Sequence, residues 1–149
     1  MSENMKELSV YPIIYEQNIA WGDMDAFGHV NNVMYYRYIE SARIVYFDLL
    51  NVFEQDVLTV VASSQCKYLK PVFYPDVLHI GARVEEMRNS AIRMHYVLYS
   101  EKQQQVVAEG EAVVVFVDKV EMNKTAIPLH LRYLIQNIES NVQNDLKVL

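Results

Sequence analysis

At 149 residues the chain is long enough for one domain and for burying roughly 70 % of its unfolded surface. A hydrophobic content of 52 %, with four glycines and four prolines, excludes a disordered or collagen-like chain. The net charge of −6 argues against the phosphate-backbone attraction on which nucleic-acid binders rely.

The charge is uneven. Residues 61–100 hold Lys67, Lys70, Arg83, Arg88 and Arg93 against Asp76, Glu85 and Glu86, a basic excess that would suit a small anion or belong to an ordinary solvated sheet face. Cys66 is alone, which precludes an intrachain disulfide. With no signal-like apolar core near the N-terminus and no apolar run of about 18 residues, the expectation is a cytoplasmic protein without membrane contact.

In chain order, residues 1–10 are polar and expected to be loose, and Tyr11 to Trp21 alternates apolar and polar side chains as a half-buried strand does. Gly22, Asp23 and Gly28 then interrupt the alternation, and Asn31 or Asn32 is placed to cap a helix running to about Leu50. Along that helix Tyr35, Tyr38, Ile39, Ala42, Tyr46 and Leu49 form an apolar stripe, while Arg37, Glu40 and Arg43 are spaced as a chain of surface ion pairs.

Four strand-like segments follow. Val57 to Leu69, Val77 to Met87, Ala91 to Ser100 and Gln105 to Asp118 carry the composition and alternation of sheet strands, the last three as an antiparallel meander. Leu78, Ile80, Ala82 and Val84 face inward, and His79, Arg83 and Glu85 outward. Pro71 and Pro75 bracket a connection, Ile127 to Glu139 reads as a short helix with Pro128 in its first turn, and the last ten residues need no structure.

This order predicts an α+β fold: a five-stranded antiparallel sheet wrapped around one long helix, as a single domain over residues 1–149. The opposite sheet face, with Val97, Tyr99, Val113, Val115 and Val117, is too apolar for water, so a second subunit is expected to cover it or extend the sheet edge.

Asp23, Asp25, His29, Asn31 and Asn32 fall within ten residues between the first strand and the long helix. No G-x-S-x-G elbow is present, which leaves a carboxylate as the candidate base or nucleophile. His79, His95 and His130 lie in separate segments without ligand spacing, so neither a metal nor a cofactor is expected, and Asp23 is read as structural.

The layout, together with D-x-D-x-x-G-H-V-N-N-x-x-Y from Asp23 to Tyr35, resembles the hotdog-fold acyl-CoA thioesterases, the group that includes 4-hydroxybenzoyl-CoA and bacterial long-chain acyl-CoA thioesterases. The resemblance runs from Tyr11 to about Arg132 and includes Glu109-Gly110 and Ile127-Pro128. It implies Asp25 as the catalytic carboxylate, the backbone NH of Asn32 as oxyanion donor, and a site role for His29. It also implies contact of the carrier phosphates with Arg88 and Ser90, with Lys70 and Lys67 nearby, and a homodimer or homotetramer whose sites lie between subunits.

Tyr35, Tyr38 and Phe27 would line an acyl tunnel or simply pack, and the H-V-N-N form leans toward fatty acyl groups. Plant acyl-carrier-protein thioesterases place an Asn two residues before this His, where Phe27 stands here, so that pairing does not carry over. A hotdog dehydratase or hydratase, and an acyl-CoA-binding protein without turnover, are the competing readings.

Overall fold

The computed structural model describes residues 3–149. Its elements are β1 (Ile13–Asn18), α1 (Asn32–Leu49), β2 (Val57–Tyr68), β3 (Val77–Met87), β4 (Ala91–Ser100), β5 (Gln105–Asp118), α2 (Leu129–Ser140) and β6 (Lys147–Val148). The four long strands and both helices stand close to where periodicity and capping residues put them. Asn31 is the cap of α1: its side-chain oxygen accepts from the Val33 NH at 3.1 Å. The helix ends where Asn51 takes a left-handed φ of 55°, a conformation asparagine tolerates better than most residues.

The first five strands lie in the order β1-β3-β4-β5-β2, all pairs antiparallel. Their concave face receives α1. Tyr35, Tyr38, Ile39, Ala42 and Tyr46 from the helix share one core with Leu78, Ile80, Ala82 and Val84 of β3, Met94, Tyr96 and Leu98 of β4, and Ala112, Val114 and Phe116 of β5. Each large apolar side chain buried there contributes about 1.5–3 kcal/mol relative to exposure. This is the hotdog arrangement.

The structure departs from expectation in five places. The sheet has six strands rather than five, because β6 pairs in parallel with β3 at Glu86↔Lys147 and Met87↔Val148. β1 covers β3 only as far as Ala82, so the remaining edge is open and the supposedly unstructured tail fills it. The segment expected to be loose contains a 3₁₀ turn at Glu3–Leu8, with residues 1–2 lying outside the described ones. Leu8 and Tyr11 bury Val97 and Tyr99 on the convex face, so part of the apolar surface assigned to a partner is covered by the chain itself. Finally, Arg43 is buried and donates to the Tyr96 hydroxyl at 3.1 Å instead of joining a surface chain, while Leu49 is exposed.

Candidate active site

The loop from Trp21 to Asn31 joins the end of β1 to the start of α1, and nearly every turn of it is bonded. Asn31 NH donates to the Asp23 carbonyl at 3.0 Å, and Asp25 NH to the His29 carbonyl at 2.8 Å, which folds residues 24–30 into a narrow hairpin. Gly28 closes its tip with a φ of 88°, in the region that favours glycine, while its NH meets the Asp25 carbonyl at 3.1 Å. Val30 NH donates to the Val72 carbonyl at 2.8 Å and so ties the hairpin to the segment after β2.

The Asp25 carboxylate is 23 % exposed, and its Oδ1 accepts from the Phe27 NH at 2.9 Å. Its Oδ2 lies 3.7 Å from Nδ1 of His29. That nitrogen is closer to the Val30 carbonyl, at 3.3 Å; a carbonyl only accepts, so Nδ1 carries the proton in this contact, and in that tautomer Nε2 is the acceptor. The His29 ring stands between Phe27, whose ring is near-parallel with centroids 6.5 Å apart, and Phe73, edge-on at 6.4 Å. Phe27 is 87 % exposed.

At the helix start Val33 NH is taken by the Asn31 side chain and Met34 NH by the Asn31 carbonyl, at 2.9 Å. Among the described residues the Asn32 NH has no acceptor, so it presents an unpaired donor at the positive end of an 18-residue helix. Tyr68 on β2 donates to the Asn32 carbonyl at 3.0 Å and braces this end of the helix from the sheet. Sequence reasoning did not single out Tyr68, Val72 or Phe73; they come about forty residues after the motif, with no local pattern linking them to it.

The other candidates divide between two ends of the molecule. Lys70 is exposed and lies two residues before Val72, on the Asp25 side. Tyr35 is buried against Tyr68, edge-on at 4.9 Å, and Tyr38 at 6.2 Å; burial pushes its hydroxyl pKa up to about 12. Arg88 and Ser90 follow the far end of β3, and the eleven residues of that strand separate them from the Asp25 loop by roughly 33 Å at the usual strand rise. Arg88 donates to Glu86 at 3.1 Å, and Ser90 is buried with its carbonyl accepting from Phe116 NH. One protomer therefore does not bring Arg88 to Asp25.

The excess basic residues of β3 and β4 are largely spoken for: Arg83 pairs with Glu85, and Arg93 with Glu85, Glu86 and Glu111. Cys66 is half-buried, and burial pushes its thiol up to about 11, so it carries little thiolate at neutral pH. Among the described residues no group of three or more His, Cys, Asp or Glu side chains is arranged to hold a metal ion. Among the described residues no helix is long and apolar enough to cross a membrane.

Comparison with known proteins places this geometry in a family. Residues 19–135 match the model of the thioesterase-like superfamily. The chain belongs to that superfamily. Its curated relatives include the uncharacterised YsmA of Bacillus subtilis, 37 % identical over 81 residues that make up 53 % of this chain and 55 % of that protein. The chain thus spans about half the length of this relative. The long-chain acyl-CoA thioesterase FadM of Escherichia coli is 24 % identical over 77 % of this chain and 90 % of its own. Among solved structures, a Thermus thermophilus thioesterase complexed with coenzyme A and zinc superposes with a TM-score of 0.79 at 27 % identity, covering 87 % of this chain and 96 % of that one.

Proposed function

We propose that this protein hydrolyses an acyl-CoA, with a fatty acyl group favoured, to the free acid and CoA, and that Asp25 is the catalytic carboxylate. The observation that carries the reading is the joining, in one short loop, of a partly exposed carboxylate and an unpaired NH at the start of a long helix. Asp25 either takes a proton from water as that water attacks the thioester carbon, or attacks the carbon itself to give a mixed anhydride that water then cleaves. In both routes the carbonyl oxygen becomes an oxyanion facing the Asn32 NH, a contact worth about 3 kcal/mol in comparable enzymes. Collapse of the tetrahedral species expels the CoA thiolate. His29 lies beside Asp25 and, with Nε2 as acceptor, orients the water.

The coenzyme A held by the Thermus relative and the acyl-CoA chemistry in the name of FadM support the carrier and the fatty substrate. The separation of Arg88 from Asp25 supports a homodimer in which Arg88 of a second copy meets the carrier phosphates beside the first copy's Lys70. The twelve-residue edge strand β2, with Leu58, Val60 and Val61 exposed, offers the pairing edge. Homotetramers would pair such dimers.

The test is thiol release from acetyl- through palmitoyl-CoA and 4-hydroxybenzoyl-CoA by the protein and by Asp25→Asn. Hydrolysis that peaks at one acyl length and collapses in the variant is the expected result. Binding without release, or an undiminished variant, overturns the carboxylate mechanism. A single turnover in ¹⁸O-labelled water separates the routes, since only the anhydride route places label in Asp25.

A further inference from the structure

We infer that Asp23 and Tyr38 form a positioning pair that sets Asp25 and the Asn32 NH relative to each other. The inference rests on the thioesterase reading above for its kinetic consequence, but its geometry is independent of substrate.

Asp23 is tied at four points, the first being its own NH, which donates to the Ala20 carbonyl at 3.0 Å. Its Oδ2 accepts from the Tyr38 hydroxyl at 2.7 Å and from the Ala20 NH at 3.0 Å, and its own carbonyl accepts from the Asn31 NH at 3.0 Å. One residue therefore holds the last turn before the loop, the first residue of the helix cap and the helix body together. Tyr38 is 2 % exposed and locked in the core next to Tyr35, so the point it offers is as rigid as the sheet behind it. Burial and the neighbouring carboxylate raise its pKa well above the ordinary tyrosine value, which keeps the proton on the hydroxyl and the bond pointed from Tyr38 to Asp23.

Asp25 and the Asn32 NH lie on either side of these ties, two residues after Asp23 and one after Asn31. Neither Asp23 nor Tyr38 needs to touch substrate. Releasing the pair lets the hairpin of residues 24–30 shift against the helix start, and a shift of about 1 Å between reacting groups lowers turnover by about a hundredfold. The two bonds to Ala20 close a local turn, whereas the Asn31 bond reaches the helix cap and the Tyr38 bond the helix body.

The experiment combines Tyr38→Phe, Asp23→Ala and Asp23→Asn, each assayed for thiol release, for thermal unfolding and for the amide NMR shifts of Asp25, Gly28 and Asn32. Tyr38→Phe keeps the ring packed, and Asp23→Asn keeps an oxygen able to accept both bonds. Expected are displaced loop amides and a kcat lowered by about tenfold to a hundredfold in Tyr38→Phe and Asp23→Ala, with KM changed less than about threefold. Asp23→Asn should restore both readouts toward the parent. Unmoved amides in Tyr38→Phe, or a kcat equal to the parent's, overturn the inference, as does a kcat loss that Asp23→Asn shares in full. If the parent protein itself cleaves no thioester, the thioesterase reading fails, and the amide shifts still decide whether the pair positions the loop.

Discussion

Asn31 and Asn32 are adjacent residues of one type, and the structure uses them differently. Asn31 works through its side chain, so Asn31→Ala should cost about 1 kcal/mol of stability, read as a lower urea midpoint. In the proposed mechanism Asn32 works through its main-chain NH, and Asn32→Ala should leave kcat within about threefold of the parent, since truncating a side chain does not remove a backbone donor. His95 makes a pH prediction. Burial and then the Arg83 charge hold its pKa below the ordinary 6.5, against the opposing pull of Glu85, Glu109 and Glu111, while its Nδ1 lies 2.7 Å from the Tyr11 hydroxyl. The folded state binds this proton less readily than the unfolded chain, so the contribution is full above pH of about 6.5 and is lost as pH falls from there through the lower folded value. Chemical denaturation at pH 5 and pH 8 should show this slope, and His95→Gln should flatten it. At this scale the sequence was most legible: a carboxylate, a histidine and a cap in ten residues announce a site, whereas the burial of Arg43 had no signal in a pattern that reads equally well as surface charge.

Elements pack as units, and the C-terminal helix is anchored by a buried acid as well as by Leu131 and Ile135 in the core. Glu139 on α2 is fully buried and accepts from the Tyr46 hydroxyl at 2.5 Å, the Val84 NH at 2.9 Å and the Asn144 amide at 2.8 Å. Val84 stands where the register of β3 shifts, and this carboxylate takes the donor that no strand takes. Burial raises the pKa of Glu139 above the ordinary 4.5, opposed by these three donors and by Arg83. The folded state holds the proton more readily than the unfolded one, so the contribution is full below pH of about 4.5 and declines as pH rises through the folded value. Glu139→Gln should remove that decline; Glu139→Ala, which strands the Val84 and Tyr46 donors, should destabilise by about 2 kcal/mol or more. At the other terminus, a Cβ added at Gly81 would come within 2.6 Å of the Tyr11 ring, so Gly81→Ala should cost about 1–3 kcal/mol of stability through overpacking, read as a lower urea midpoint. The N-terminal turn and the β6 tail escaped the sequence because their polar residues carry no periodicity; what they cover exists only once the sheet is formed.

For the whole molecule the question is what completes the space beside Asp25. A groove of about 330 Å³, lined by Gln65, Lys67, His95, Glu109 and Glu111, opens on the convex face, opposite the helix. The proposed site needs a second copy instead. Val61→Lys, a charge on the β2 edge, should turn a dimer into a monomer in sedimentation equilibrium and abolish turnover while the Asp25 loop stays intact.

Residue order alone determined the approximate extent of the four long strands and of both helices, the inward face of β3 and the clustering of candidate groups in one loop, because these depend on side-chain period and on neighbours a few residues apart. Tertiary structure decided the rest. That Tyr38 grips Asp23, that Glu139 fills the edge of β3, that the N-terminal turn covers Val97 and Tyr99, and that Arg88 stands a strand's length from Asp25 all join segments distant in the chain. Such pairings are set by which surfaces meet when the core closes, and no local pattern encodes them.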